Sequence, residues 1–193
     1  MGKEFELKYA ATADRLLKIR QTLPGEYHAI AMETTYYDTP EGALSARKLT
    51  LRRRFENGIS ICTLKTPATG FGRNEWELRC DGIEQAIPEL CKLSALPELL
   101  TLTAGGVVPV CGARFTRLTN MIHQGSCSLE LALDQGILFG GSREQAFAEV
   151  EVELKSGTEA EATVYADNLA QQFELTPEPS SKFRRALALA KGE

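Results

Sequence analysis

The chain has 193 residues, of which 43% are hydrophobic and 25% are charged, a composition typical of a folded globular protein. Its formal net charge of −4 at pH 7 argues against a protein that binds nucleic acid through bulk positive charge. No segment has the roughly 18 consecutive apolar residues that a membrane-spanning helix needs, and the charged N-terminus is unlike a signal peptide, so we expect no membrane partner.

The first part of the chain predicts mainly strands. "EFELKYA" at 4–10 alternates charged and apolar residues, as a strand does, and "TADRLLKIRQTL" at 12–23 has helical spacing with Thr12 as its N-cap. Asn57-Gly58 is a strong hairpin signal between two alternating segments. Further strands are predicted at 33–39, which Pro40-Glu41-Gly42 closes, and at 48–56, 59–67 and 73–80.

The second part mixes helices and strands. Residues 83–102 are helix-like but interrupted by Pro88 and Pro97. Strands are predicted at 113–122, 126–134 and 146–157, and helices at 158–174 and 180–191. With about eight strands that mostly follow one another and three or four helices, the class is α+β with a largely antiparallel sheet. No repeat or linker divides the chain, so we expect a single domain over residues 1–193.

The predicted strands carry ionised groups on one face and apolar groups on the other. Glu4, Glu6 and Lys8 alternate with Phe5 and Leu7, and the same pattern recurs in later strands. A one-sided sheet with its polar face in water is the simple interpretation. However, the carboxylates repeat in ExE and ExExE blocks, where they repel one another unless an ion or ligand neutralises them. If the sheet closes into a barrel, that face lines a lumen suited to a polyanion with a divalent cation.

The motifs resemble those of a known family. "EFELK" at 4–8 fits the ExExK signature of the CYTH superfamily, the triphosphate tunnel metalloenzymes. Other blocks follow in the family's order along nearly the whole chain: "YYDTP" at 36–40, "LRRR" at 51–54, "TLK" at 63–65, "ALDQG" at 132–136, "EVEVEL" at 149–154 and "SSKFRRA" at 180–186. The resemblance implies an α+β fold with an eight-stranded antiparallel β-barrel, open as a tunnel and flanked by helices.

The resemblance also implies roles for individual residues. The metal ligands, for Mg²⁺ or Mn²⁺, are sought among Glu4, Glu6, Glu130, Asp134, Glu149, Glu151 and Glu153, and which two of the last three ligate is open. The triphosphate is gripped by basic side chains: Lys8, Arg52, Arg54, Lys65, Arg73, Arg117 and Lys182, with Arg184 or Arg185 as a helper. Lys8, Tyr36 and Asp134 are the catalytic candidates, of which Lys8 and Tyr36 resemble a pair linked to thiamine triphosphate hydrolysis.

We interpret the chain as a metal-dependent inorganic triphosphatase that acts on a small-molecule substrate. The alternatives are a thiamine or other organic triphosphatase, a class IV-type adenylate cyclase, or a non-catalytic polyphosphate-binding module. A thiamine-selective pocket should contain an aromatic side chain on which the thiamine rings stack. Trp76, the only tryptophan, is predicted on the outer face of its strand and so cannot supply this surface in the lumen. Five cysteines without CxxC spacing favour reduced thiols in the cytoplasm. A homodimer is left open by the sequence.

Overall fold

The computed structural model of the chain describes residues 5–67 and 73–193. Within these two stretches, nine strands belong to one sheet: β1 (Glu6–Ala10), β2 (His28–Asp38), β3 (Thr50–Glu56), β4 (Ile59–Pro67), β5 (Arg73–Arg79), β6 (Val108–Gln124), β7 (Cys127–Gly140), β8 (Arg143–Ser156) and β9 (Thr176–Pro177). The helices of the same stretches are α1 (Ala13–Thr22), α2 (Ala43–Ala46), α3 (Ile83–Ser94), α4 (Glu98–Leu102), α5 (Glu159–Phe173) and α6 (Lys182–Lys191).

The strand order is β5-β4-β3-β2-β6-β7-β8-β1-β9, and each neighbouring pair is antiparallel. The predicted α+β class, with an antiparallel sheet flanked by helices, is confirmed. Among the described residues no ladder joins β5 to β1 or β9, so the hydrogen-bonded sheet has an open edge there. The sheet is nevertheless curved enough to bring Glu6 of β1 near Lys65 of β4: burial raises the pKa of Glu6, and the charge of Lys65 partly opposes that rise.

Two apolar cores cover the convex face of the sheet. Helices α1 and α5 pack on β1, β7 and β8 around side chains such as Leu131 and Val152. Helices α2, α3 and α4 cover β3, β4 and β5 around Leu51, Leu64 and Leu90. Because side chains alternate along a strand, burying these residues outward turns their charged neighbours toward the concave face.

Helix α6 lies on the opposite, concave face, against β6, β7 and β8. It approaches β7 so closely that a Cβ on Gly140 would lie 2.6 Å from the backbone nitrogen of Ala190. Its Phe183 ring lies 5.0 Å from that of Tyr36, within a core that also contains Phe115 and Phe147. One part of the concave face is therefore apolar and covered, while the remainder is charged.

Several element boundaries differ from those predicted. Helix α3 continues through Pro88; both the proline and Glu84, four residues earlier, whose carbonyl loses its N–H partner, are exposed residues on the outer side of the helix. Strand β2 begins at His28 rather than residue 33, since its pairing with β6 extends over the alanine-rich segment before Met32. The short helix α2 was missed; the carboxylate of Asp38 accepts hydrogen bonds from the N–H groups of Leu44 and Ser45 in its first turn.

The five cysteines are free thiols, four of them buried. Burial raises the pKa of Cys62 to about 11 and that of Cys111 to about 12, so both thiols stay protonated near neutral pH. Neither has the thiolate character that a nucleophile needs. Among the helices of the described residues, none has both the length and the apolar character that crossing a membrane requires.

Candidate active site

The charged side chains of β1, β7 and β8 lie side by side on the concave face. Glu149, Glu151 and Glu153 alternate with Val150 and Val152, which are buried in the convex core. Across the ladders, Glu149 is paired with Asp134, Glu151 with Lys8, and Glu153 with both Glu6 and Glu130. The alternation predicted from the sequence thus corresponds to a real division between the two faces.

Asp134, Glu149 and Glu151 form a compact group, which we call the acidic cluster. One oxygen atom from each carboxylate lies within 4.8 Å of the others. Asp134 and Glu149 are fully buried, and Glu151 is nearly so. Ionised carboxylates in such surroundings are costly unless cations and hydrogen bonds compensate them.

Three cationic side chains compensate the acidic cluster. Arg117 on β6 binds Asp134 through two parallel hydrogen bonds of 2.8 and 2.7 Å, and it also contacts Glu151. The Nζ atom of Lys182 lies 2.7 Å from Asp134 Oδ2 and 2.8 Å from Glu151 Oε1, and it contacts Glu149. Arg185, one helical turn later, binds the other oxygen of Glu149. The charges of the cluster and its cations therefore balance.

The pKa shifts follow from this arrangement. Burial alone would raise the pKa of Glu151, but the Lys182 and Arg117 cations beside it lower that pKa well below its usual value. Burial would lower the pKa of Lys182, but Glu151, Asp134 and Glu149 raise it well above its ordinary value. Lys182 is thus a permanent cation over the physiological pH range. Partial burial raises the pKa of the Glu6 carboxyl, and the negative charge of Glu151 raises it further. The Glu6 side chain nevertheless remains accessible to water.

A second group of residues on β3, β4 and β5 forms a basic wall, consisting of Arg52, Arg54, Lys65 and Arg73. Arg54 is buried, and its nearest partners are the hydroxyl of Thr34 at 3.0 Å and the carboxylate of Glu56 at 3.7 Å. Burial and the neighbouring Arg52 lower the pKa of Arg54 to about 10. Two arginines that repel one another favour an anion between or beside them.

Three of these basic side chains also have protein partners. Glu75 binds Arg52 at 3.0 Å and Lys65 at 2.5 Å, and Arg73 donates to the hydroxyl of Thr50 at 3.0 Å. The Nε atom of Arg52 and the hydroxyl of Thr63, its cross-strand neighbour, are buried without a hydrogen-bond partner among the described residues. Buried polar atoms normally find partners, so these two are unused donors in the basic wall.

The remaining candidates are placed less centrally. Glu130 and Glu153 are paired with Lys155, at 3.6 and 2.8 Å, rather than with the acidic cluster. Tyr36 is buried against Phe183. Arg184 is exposed on α6, and its neighbour Arg185 makes the contact to Glu149. Glu4 lies outside the described residues.

The sequence analysis assigned no role to several partners of the site. Glu75, Thr34, Thr50 and Thr63 lie on the concave face next to predicted residues. Phe115 and Phe147 lie beneath Lys182, whose Nζ is 5.1 and 5.5 Å from their ring centroids. The alternation of Glu75 with Trp76 was a signal for its face, and Thr63 belongs to the "TLK" motif, but the other residues stand in none of the quoted motifs. Only the strand register identifies what each one contacts.

The donor set suits a hard divalent cation beside an anion. Carboxylate oxygens are the ligands that Mg²⁺ and Mn²⁺ prefer, and the acidic cluster offers three within reach of one another. The Arg52 Nε and the Thr63 hydroxyl, which have no hydrogen-bond partner in the part of the chain that the structure describes, are donors suited to phosphate oxygens. One face of the sheet thus offers carboxylate ligands for the metal ion and hydrogen-bond donors for the phosphate.

Comparison with known proteins gives matches along the chain. The sequence matches the CYTH domain over residues 2–187. A Haemophilus influenzae protein named inorganic triphosphatase is 29% identical over 197 residues, covering 98% of this chain and 55% of that protein. The chain therefore spans about half the length of this curated relative.

Solved structures share the fold at lower sequence identity. A Hippeastrum protein described as a putative adenylyl cyclase with a dominant triphosphatase activity matches with a TM-score of 0.69 and 19% identity, over 98% of this chain and 96% of that one. A putative adenylate cyclase from Bacillus halodurans matches with a TM-score of 0.63 and 20% identity, over 94% of this chain and 96% of that one. These likenesses establish the architecture of the sheet and its helices.

Proposed function

Because the chain belongs to the CYTH domain family, we propose that it hydrolyses inorganic triphosphate to pyrophosphate and phosphate in a reaction that depends on Mg²⁺ or Mn²⁺. The relative named inorganic triphosphatase supports this choice of substrate. We propose that residues 1–193 form a single domain. The free thiols favour a cytoplasmic location.

The observation that carries the proposal is that the basic wall and the acidic cluster lie on the same concave face of the sheet. Arg52 and Arg54 are buried cations that repel one another, so they bind phosphate oxygens more favourably than an exposed pair would. Across the same face, the acidic cluster offers oxygen ligands to a divalent ion. A triphosphate with its counter-ion bridges the two groups.

In the proposed reaction, the basic wall holds the triphosphate so that its terminal phosphorus lies near the acidic cluster. Arg52, Arg54 and Lys65 bind phosphate oxygens and orient the chain of phosphates, while a carboxylate of the concave face orients water. The water oxygen attacks phosphorus in line, the bridging P–O bond breaks, and pyrophosphate leaves. A bound divalent ion would supply neutralisation of the developing charge and polarisation of the phosphoryl group. Asp134, Glu149, Glu151 and the accessible Glu6 are the residues that would hold it.

An inorganic substrate fits the concave face better than one with an aromatic ring. Within the described residues, the aromatic side chains of the concave face on β2, β6 and β8 are Tyr36, Phe115 and Phe147, and all three are buried. Trp76 belongs to the convex core. Among residues 5–67 and 73–193, a thiamine or adenine ring therefore finds no exposed stacking surface beside the basic wall, whereas phosphate oxygens find donors there.

The proposal is tested by phosphate release from inorganic triphosphate, thiamine triphosphate and ATP, each with Mg²⁺, with Mn²⁺ and with EDTA. We expect inorganic triphosphate to be turned over fastest, and EDTA to abolish turnover because the carboxylates need a cation between them and the phosphates. Faster hydrolysis of an organic triphosphate would reject the substrate, and undiminished turnover in EDTA would reject the metal. Formation of cyclic AMP from ATP would instead indicate a cyclase.

Replacing Arg54 with alanine tests the basic wall. We expect kcat/KM to fall by roughly 10- to 100-fold, chiefly through KM, because a charge-assisted hydrogen bond to phosphate contributes about 1.5–3 kcal/mol. The matched control is Arg53→Ala, since Arg53 is adjacent on β3 but points to the convex face, where it donates to the carbonyl of Asp81. Equal steady-state constants for both variants and the wild type would remove Arg54 from the binding site.

A further inference from the structure

Lys182 lies at the point where the acidic cluster converges. Its ammonium contacts all three carboxylates of Asp134, Glu149 and Glu151, at 2.7 Å from the first and 2.8 Å from the last. These are the groups that offer oxygen atoms within 4.8 Å of one another. The lysine and a divalent ion would therefore compete for the same oxygen atoms.

The charge balance makes this competition strong. Arg117 binds both oxygen atoms of Asp134, Arg185 binds the Glu149 oxygen that Lys182 leaves free, and Lys182 supplies the third positive charge. A divalent ion added to this neutral group would leave an excess of two positive charges in a buried region, which is electrostatically unfavourable. A triphosphate anion entering at the same time removes that excess.

The placement of Lys182 allows it to exchange partners. It is the first residue of α6, directly after the N-cap Ser181, and its side chain lies over the faces of Phe115 and Phe147. The long, flexible side chain can swing its ammonium toward a neighbouring anion without moving the helix. The aromatic faces provide a favourable surface for the cation during that movement.

We propose that Lys182 is an internal counter-cation that keeps a divalent ion out of the acidic cluster until an anionic phosphate substrate draws the ammonium away. The inference rests on the proposed function, because it takes the acidic cluster as the place where the ion binds. Metal and substrate then bind cooperatively: each is bound weakly alone and more tightly when the other is present, as linkage requires. Lys182 is in this respect a positioning residue that sets the order of binding.

The test is the affinity for Mn²⁺ alone, measured by electron paramagnetic resonance of the free ion in the absence of any phosphate. We expect weak binding by the wild type and at least about tenfold tighter binding by Lys182→Met, since removal of the competing cation leaves the cluster with a net negative charge. Lys191→Met is the matched control, because it removes one positive charge from the exposed end of the same helix. We expect the affinity of that control to equal that of the wild type.

Thermal unfolding verifies that each variant is folded. Because loss of Lys182 leaves buried carboxylates with fewer partners, Lys182→Gln, which retains an amide donor, replaces the methionine variant if that one does not fold. Equal or weaker Mn²⁺ binding by the Lys182 variants, or no Mn²⁺ binding by any protein, would overturn the inference.

The phosphate-release assay separates this result from a failure of the proposed function. Metal-dependent triphosphate hydrolysis by the wild type, with Mn²⁺ affinity unchanged in the Lys182 variants, would leave the function standing and reject the counter-cation role. Tighter Mn²⁺ binding by the variants, with no triphosphate hydrolysis by the wild type, would support the counter-cation role and reject the function.

Discussion

Replacing Glu151 with glutamine is expected to lower kcat for triphosphate hydrolysis by roughly 10²- to 10³-fold, the size of effect seen when one electrostatic partner of a transition state is lost. Glu151 is a member of the acidic cluster and contacts both Lys182 and Arg117. Glutamine has nearly the same volume and retains one carbonyl oxygen, so the main change is the loss of negative charge. The substitution thereby replaces the carboxylate of Glu151, which two cations keep ionised, with a neutral amide that binds a divalent ion weakly.

The control for this change is Glu144→Gln, which removes a negative charge from the same strand, β8, at an exposed position on the convex face. Phosphate release is measured for both variants at saturating inorganic triphosphate and Mg²⁺, and circular dichroism confirms that both are folded. The control is expected to stay within about twofold of the wild type, since exposed substitutions away from a site have small effects. Full activity of the Glu151 variant would remove the acidic cluster from the mechanism.

Replacing Gly136 with alanine is expected to destabilise the fold by about 3 kcal/mol, the upper part of the range for forcing extra volume into a packed region. Gly136 of β7 is paired with Phe115 of β6. A Cβ at this position would lie 2.5 Å from the Cα of Phe115 and closer still to the carbonyl oxygen of Arg114. Because both obstacles belong to the backbone, the two central strands would have to separate.

Gly105→Ala provides the comparison, because among the described residues, its two chain neighbours apart, no atom lies within 4 Å of a Cβ built at Gly105. Urea unfolding of both variants and the wild type measures the free energies of unfolding. The Gly105 variant is expected to stay within about 0.5 kcal/mol of the wild type. If the Gly136 variant is equally stable, then the close pairing of β6 and β7 is not needed for folding.

Local patterns were sufficient for the faces of the strands. The alternation in "EVEVEL" placed Glu149 and Glu151 opposite Val150, and the structure has this arrangement. Thr158 and Glu161 form a capping box at the start of the predicted helix α5. Such features depend on residues within a few positions of one another, so one sequence contains all the information that they require.

Lengths and extra elements were predicted less well, because pairing partners decide them. Strand β2 includes Ala29 and Ala31, which have low strand propensity but are paired with β6 on one side. The two residues of β9 form a strand only through pairing with Tyr9 and Ala10 of β1. In these segments, hydrogen bonds supplied by a distant part of the chain outweigh local preference.

The amino-acid sequence by itself determined the α+β class and the set of charged residues that share the concave face, because both follow from periodicities within single elements. Only the tertiary structure decided which of these residues meet. Arg117 binds Asp134 across the register of two long strands, and Lys182 reaches Glu149 from a helix 33 residues further along the chain. Arg185 rather than Arg184 faces the cluster because of how α6 is rotated on the sheet. Register, curvature and helix rotation are properties of the packed molecule, since each depends on contacts between segments that are far apart in sequence.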